Sequence, residues 1–143
     1  MDRDFSHTLS DGRTGFPALL DAIEAELAAS EAPDSVIAPV LIALDEVISN
    51  ALDHGGEAGA TPMVRVTLRV GEGRVAVQVV DDGVAFNPID QPAPDTALPM
   101  EARAIGGLGI HLVRKLMDAV DYDRRAGHNH LRFSKAYSSA SPS

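Results

Sequence analysis

Val64, Val66, Leu68 and Val70 alternate with Arg65, Thr67 and Arg69, and after Gly71 to Gly73 the run Val75 to Val80 returns almost wholly apolar. Side chains two apart share one face of a strand, so the first run predicts a half-buried strand. The second predicts its nearly fully buried antiparallel partner across a glycine turn. Upstream, Pro33, Asp34 and Ser35 are helix-start signals, and Val36, Ile37, Val40, Leu41, Leu44, Val47, Ile48 and Ala51 recur at helical spacing up to Gly55. Pro39 fits that helix only near its first turn. A long amphipathic helix beside a hairpin is thus the frame for the rest of the chain.

Arg3 to Leu9 alternate weakly and suit an edge strand; Asp11, Gly12 and Gly15 then break the pattern before a helix from about Phe16 to Ala29, with Leu19, Leu20, Ile23 and Leu27 as its apolar stripe. Between Asp82 and Gly106 stand Pro88, Pro92, Pro94 and Pro99 with few clustered apolar residues, so little regular structure is expected there. Loops longer than ~12 to 15 residues inside compact domains are usually functional or disordered. A helix from about Gly107 to Asp118 follows, with Leu108, Leu112, Leu116 and Val113 as its inward residues. Val120 to Arg124 and His130 to Lys135 then predict a last hairpin around Ala126, Gly127 and His128. Residues 138–143 read as a frayed tail, leaving a single domain over residues 1–137 with no internal repeat.

Composition narrows the function classes. The chain has 143 residues and 45% hydrophobic content, about one domain with one core. Its formal net charge of -9 opposes a sequence-independent grip on phosphate backbones or anionic lipid, so neither nucleic acid nor membrane is expected as a partner. Cysteine is absent, which removes disulfides and thiolate metal sites. The N-terminus lacks the apolar run of a signal peptide, and no stretch approaches the ~20 apolar residues of a membrane span. A cytoplasmic location is the expectation.

Three polar or glycine clusters carry the chemistry. Glu46, Asn50 and His54 are spaced by four along the long helix, and Val40, Leu44, Val47 and Ala51 define its buried arc. Glu46, Asn50 and Asp53 line one edge of that arc, so they face a border and not open water. An amide there can ligate a hard cation such as Mg²⁺, and a carboxylate one turn away can accept a proton from a hydroxyl or water. Taken alone, such a pair is first of all the polar rim of an amphipathic helix. His54 falls inside the apolar arc and reads as a packed or helix-terminal residue. Asp81, Asp82 and Gly83 close the buried strand. Asp-Gly alone marks a hairpin turn, but no matching strand follows at once, and a buried carboxylate at a strand end suits an exocyclic amine such as that of adenine. Gly106, Gly107 and Gly109 lack the lysine of a P-loop and the third glycine of a dinucleotide fingerprint. What remains is either a flexible hinge or a helix start whose free N–H groups favour phosphate oxygens. Arg103 and Lys115 read as solvated surface charge.

In order and spacing, ALDEVISNALDH (Ala43 to His54), VVDDGVAFNP (Val79 to Pro88) and GGLGIHLVRKLMD (Gly106 to Asp118) resemble the N, G1 and G2 boxes of the GHKL ATPase superfamily, in particular the small anti-sigma-factor serine kinases of bacterial partner-switching systems. The resemblance spans nearly the whole chain. It implies an α/β sandwich of the Bergerat (histidine-kinase-like ATPase) type, a mixed, mostly antiparallel sheet with helices on one face. It also implies ATP and Mg²⁺ as cofactors. By position, Glu46 would be the general base toward a serine hydroxyl, Asn50 the Mg²⁺ ligand and Asp81 the adenine contact. Gly83 would let the base approach the backbone, residues 84–106 would form the lid, and Gly106, Gly107 and Gly109 would meet the phosphates. The implied partners are a sigma factor and a STAS-type anti-anti-sigma antagonist phosphorylated on serine, with a homodimer as a further expectation. One departure stands out: Ala85 replaces the second G1 glycine, which reduces backbone freedom there. That departure keeps a second function class open, a non-catalytic nucleotide- or partner-binding regulatory module. A third, the catalytic part of a histidine kinase, is opposed by the short chain and by Glu46 itself.

Overall fold

The computed structural model describes residues 3–54, 62–85 and 107–137. Their elements run β1 (Arg3–Leu9), a 3-10 turn (Gly12–Thr14), α1 (Phe16–Ala29), α2 (Asp34–His54), β2 (Val64–Gly71), β3 (Arg74–Asp81), α3 (Gly107–Leu116), β4 (Ala119–Arg125) and β5 (His128–Ala136). The expected lid beyond Ala85, with Gly106, and the expected tail lie outside the described residues.

The strands form one five-stranded sheet in the order β1-β2-β3-β5-β4, and all four pairings are antiparallel. The β2–β3 hairpin forms as the alternation predicts, but β3 is not nearly fully buried, because Ala76, Gln78 and Val80 on its other face are only half-buried. Val64, Val66, Leu68 and Val70 point to the same face as Val75, Val77 and Val79, and all seven are buried. Leu131 and Phe133 continue that face on β5. The helices cover it through Ile23 and Leu27 of α1, Val36, Val40, Leu44 and Ile48 of α2, and Ile110 and Val113 of α3. Each such side chain contributes about 1.5–3 kcal/mol when fully buried, so this two-layer interface supplies most of the driving force for folding. The opposite face of the sheet carries Arg65, Thr67 and Arg69.

Both hairpins close through two-residue turns with positive φ at both positions: Glu72 (53°) with Gly73 (75°), and Ala126 (52°) with Gly127 (79°). That geometry matches the right-handed twist of the flanking strands and favours glycine. Pro39 sits in the second turn of α2, where its missing N–H would have served the carbonyl of Ser35, an exposed residue that water can satisfy.

Two further expectations are corrected. On α3, Val113 is buried as expected and Leu116 is partly buried against the core, but Leu112 is exposed, and Ile110 and Met117 join Val113 in the core. Steps of three and four from Ile110 produce that stripe. The other concerns α2: Asp34–Asp53 is a 20-residue helix with mean hydropathy 1.6, long and apolar enough by composition to cross a membrane. Its apolar side chains instead fill the core against the sheet, and Asp45 and Glu46 interrupt its middle.

Candidate functional site

One end of the sheet gathers the polar residues. Leu9 faces Val64, Val64 faces Asp81, Asp81 faces Asn129, and Asn129 faces Arg124 across successive ladders. The last turn of α2 reaches the same end, because Arg13, just beyond β1, makes an ion pair with Asp53. At the other end Lys135, which faces Val75, donates through Nζ to the Leu116 carbonyl at 2.9 Å and pins the C-terminus of α3. With roughly 15 Å of helix between its ends, α3 has only its Gly107 end available to the Asp81 end of the sheet. Gly107 and Gly109 do open this helix, as expected.

The α2 residues lie at the predicted border. Asn50 is 6% exposed. Among the described residues no hydrogen bond is made by its side-chain amide, which leaves the amide oxygen for a ligand. Glu46, one turn before it, is half-buried. Burial pushes its carboxyl above the usual range, and the charges of Asp45 and Asp53 add to that. His54 ends α2; its side chain lies outside the described residues.

Asp81 is 7% exposed and closely held. Its Oδ1 accepts from the Gly83 backbone N–H at 2.9 Å, an Asx turn, and from Asn129 Nδ2 at 2.9 Å. Both bonds end on the same oxygen, so among the described residues Oδ2 is left for another donor. Burial raises its carboxyl; the bonds from Asn129 and Gly83 and the charge of Arg124 oppose that rise, and Asp82 adds to it. Asp82 itself closes the β2–β3 ladder, accepting from the Met63 N–H at 2.7 Å.

Three residues of this cluster escape a reading of motifs. Asn129 Nδ2 also donates to the Val84 carbonyl at 2.9 Å, its Oδ1 accepts from the Tyr122 hydroxyl, and Arg124 donates to the Gly83 carbonyl at 2.8 Å. The β4–β5 hairpin thereby grips the turn after β3. A signal for Asn129 does exist, since it shares strand parity with Leu131 and Phe133 and so is a polar residue at a core-facing position. Ala85 is not among the residues with positive φ, so alanine fits there without backbone strain.

This donor set fits a metal-chelated adenine nucleotide. Asn50 offers a hard oxygen with no competing partner among the described residues, Glu46 a carboxylate of raised proton affinity, and Asp81 a positioned acceptor. Residues 14–135 match the family model of the histidine kinase-like ATPase domain. The serine/threonine-protein kinase BtrW of Bordetella bronchiseptica is 33% identical over 87 residues, 61% of each chain. The serine-protein kinase RsbW of Bacillus pumilus is 34% identical over 93 residues, 60% of this chain and 57% of that one. The anti-sigma F factor of Clostridium beijerinckii is 25% identical over 89 residues, 62% of each chain. The similarity thus spans about three fifths of the length of these relatives. A crystal structure of the RsbU and RsbW domains of a Mycobacterium tuberculosis protein shares the fold with a TM-score of 0.67 at 18% identity, over 94% of this chain and 32% of that one. With a five-stranded antiparallel sheet under three helices and the family match over 14–135, the chain belongs to the histidine kinase-like ATPase domain family.

Proposed function

We propose that this chain is a Mg·ATP-dependent protein serine kinase that acts as an anti-sigma factor in the cytoplasm, phosphorylating a STAS-type anti-anti-sigma antagonist and sequestering a sigma factor. The observation that carries the reading is the buried Asn50 amide, without a partner among the described residues, one turn from Glu46 on the helix that reaches the Asp81 end of the sheet. Three relatives bear the printed names of serine or serine/threonine kinases and one that of an anti-sigma factor, which supports the same reading.

In this reading Asp81 Oδ2 accepts from the exocyclic amine of adenine, and Gly83 leaves room for the base beside the backbone. Asn50 would hold Mg²⁺ through its side-chain oxygen, and the ion when bound offsets the charge of the phosphates. Gly106, Gly107 and Gly109 would offer backbone N–H groups, with the positive end of the α3 dipole, to the phosphate oxygens. Glu46 would accept the proton of the attacking serine hydroxyl as the serine oxygen bonds to the γ-phosphorus and the bond from that phosphorus to the β,γ-bridging oxygen breaks, with ADP as the leaving group; the raised proton affinity of Glu46 suits that task. Residues 84–106 act as the lid. Incubation of the protein with a STAS-domain antagonist and terminally labelled ATP should place label on a serine. Glu46→Ala should lower transfer by about 10²–10⁴-fold while leaving nucleotide bound. Equal labelling by the two proteins would remove Glu46 from its role.

A further inference from the structure

We propose that Asn129, oriented by the Tyr122 hydroxyl, is the positioning residue that turns one oxygen of Asp81 toward a 6-amino purine and ties the same carboxylate to the root of the segment that follows Val84. The inference rests on the nucleotide reading above and names which residues make the site select its base.

An asparagine amide can face either way, and the two orientations exchange a donor for an acceptor. Here the neighbouring groups make the choice. The Tyr122 hydroxyl donates to Oδ1, so the NH₂ group is left to donate, and it does so twice: to Asp81 Oδ1 and to the Val84 carbonyl, each at 2.9 Å. The reverse orientation would set an amide oxygen against the Asp81 carboxylate. Asp81 Oδ1 also takes the Gly83 N–H at 2.9 Å, so one donor from the turn after β3 and one from β5 fix the plane of the carboxylate and direct Oδ2 away from both. An acceptor held in this way discriminates between a base with an amine at position 6 and one with hydrogen there. A freely rotating one discriminates poorly, because its orientation must be frozen on binding.

The Val84 bond gives the network its second role. Val84 is exposed in its side chain, yet its carbonyl is held by Asn129 and the adjoining Gly83 carbonyl by Arg124 at 2.8 Å. The backbone leaving the base-binding carboxylate is therefore anchored to the β4–β5 hairpin, whose buried Asn129 is 5% exposed.

The test compares Mg·ATP with the triphosphate of purine riboside, which carries hydrogen in place of the amine, by calorimetric titration of the wild-type chain, Asn129→Ala and Tyr122→Phe. Expected for the wild type is a clear preference for ATP. Asn129→Ala should weaken ATP at least tenfold and the purine triphosphate less than about threefold, so that the preference collapses. Tyr122→Phe, which removes one oxygen and keeps the ring, should move the preference in the same direction by about three- to tenfold and serves if the alanine variant does not fold. A purely structural role would weaken both nucleotides alike, and that result, or an ATP preference that survives in both variants, overturns this inference alone. A wild-type chain that binds neither nucleotide overturns the reading beneath it as well.

Discussion

Asn129 and Asp81 face each other across the β3–β5 ladder, and the amide of the first donates to Oδ1 of the second at 2.9 Å, both side chains being buried. A neutral donor opposite a buried carboxylate is a compromise. It holds the group in place and lowers its proton affinity, while burial still leaves the carboxyl above its usual range. The geometry is that of a buried carboxylate held in one orientation at some cost to stability.

Replacing the carboxylate tests that trade directly. In Asp81→Asn the new oxygen can keep the bonds from Gly83 and Asn129, which places the new NH₂ group where Oδ2 stood. Donor then meets donor at an adenine amine, and ATP binding should fall about tenfold to a hundredfold, the equivalent of about 1–3 kcal/mol for an unsatisfied buried group. Folding stability at neutral pH should stay equal or rise, because the variant removes a charge whose burial is unfavourable. Calorimetric titration and thermal denaturation of the same preparation read both effects.

Glu46 makes a similar trade, and its pH dependence has a definite sign. Its carboxyl is raised by burial and then by Asp45 and Asp53, so the folded chain holds this proton more tightly than the unfolded one. The penalty for ionising it is absent below the ordinary value of 4.5, grows as pH rises through the folded value, and is complete above that. Glu46→Gln should therefore raise the melting temperature at neutral pH, with the gain vanishing in acid below about pH 4. The same variant should lose serine phosphorylation by about 10²–10⁴-fold. Melting curves across pH, paired with label transfer, check both parts.

The two hairpin turns separate backbone strain from crowding. Gly73 and Gly127 share a positive φ, but a Cβ on Gly73 would lie 2.9 Å from the Tyr137 carbonyl oxygen, whereas one on Gly127 would meet nothing within 4 Å. Both alanine variants incur the left-handed penalty of about 1–2 kcal/mol. Gly73→Ala adds a backbone clash and should be the more destabilising of the two in urea denaturation; the opposite order would contradict the turn geometry.

Much of this architecture was legible in the sequence, for identifiable reasons. The strand from Val64 to Val70 and the helix up to His54 carry periodicities of two and 3.6, and the structure follows them; the almost wholly apolar run Val75 to Val80 hid that one of its faces is only half-buried. Glu46 and Asn50 stand at the edge of the buried arc where a helical wheel puts them. Leu112 misled because every leucine on α3 looks like a core residue until the packing against α2 decides which stripe turns inward. Asn129, Tyr122 and Arg124 stayed hidden for a different reason. The partners of Asn129 and Arg124 at Asp81, Gly83 and Val84 are about 40 or more residues away along the chain, Tyr122 joins them only through Asn129, and only the β3–β5 and β4–β5 registers bring the group together.

The most direct test of the account is a calorimetric titration with ATP, with and without Mg²⁺, of the wild-type chain and of Asn50→Ala. The side chain of Asn50 bonds to nothing among the described residues, so its removal should leave the fold intact. The account predicts that the wild type binds Mg·ATP at least tenfold more tightly than metal-free ATP, and that Asn50→Ala binds the two alike. No binding by the wild type, or a Mg²⁺ enhancement that survives in Asn50→Ala, would contradict it.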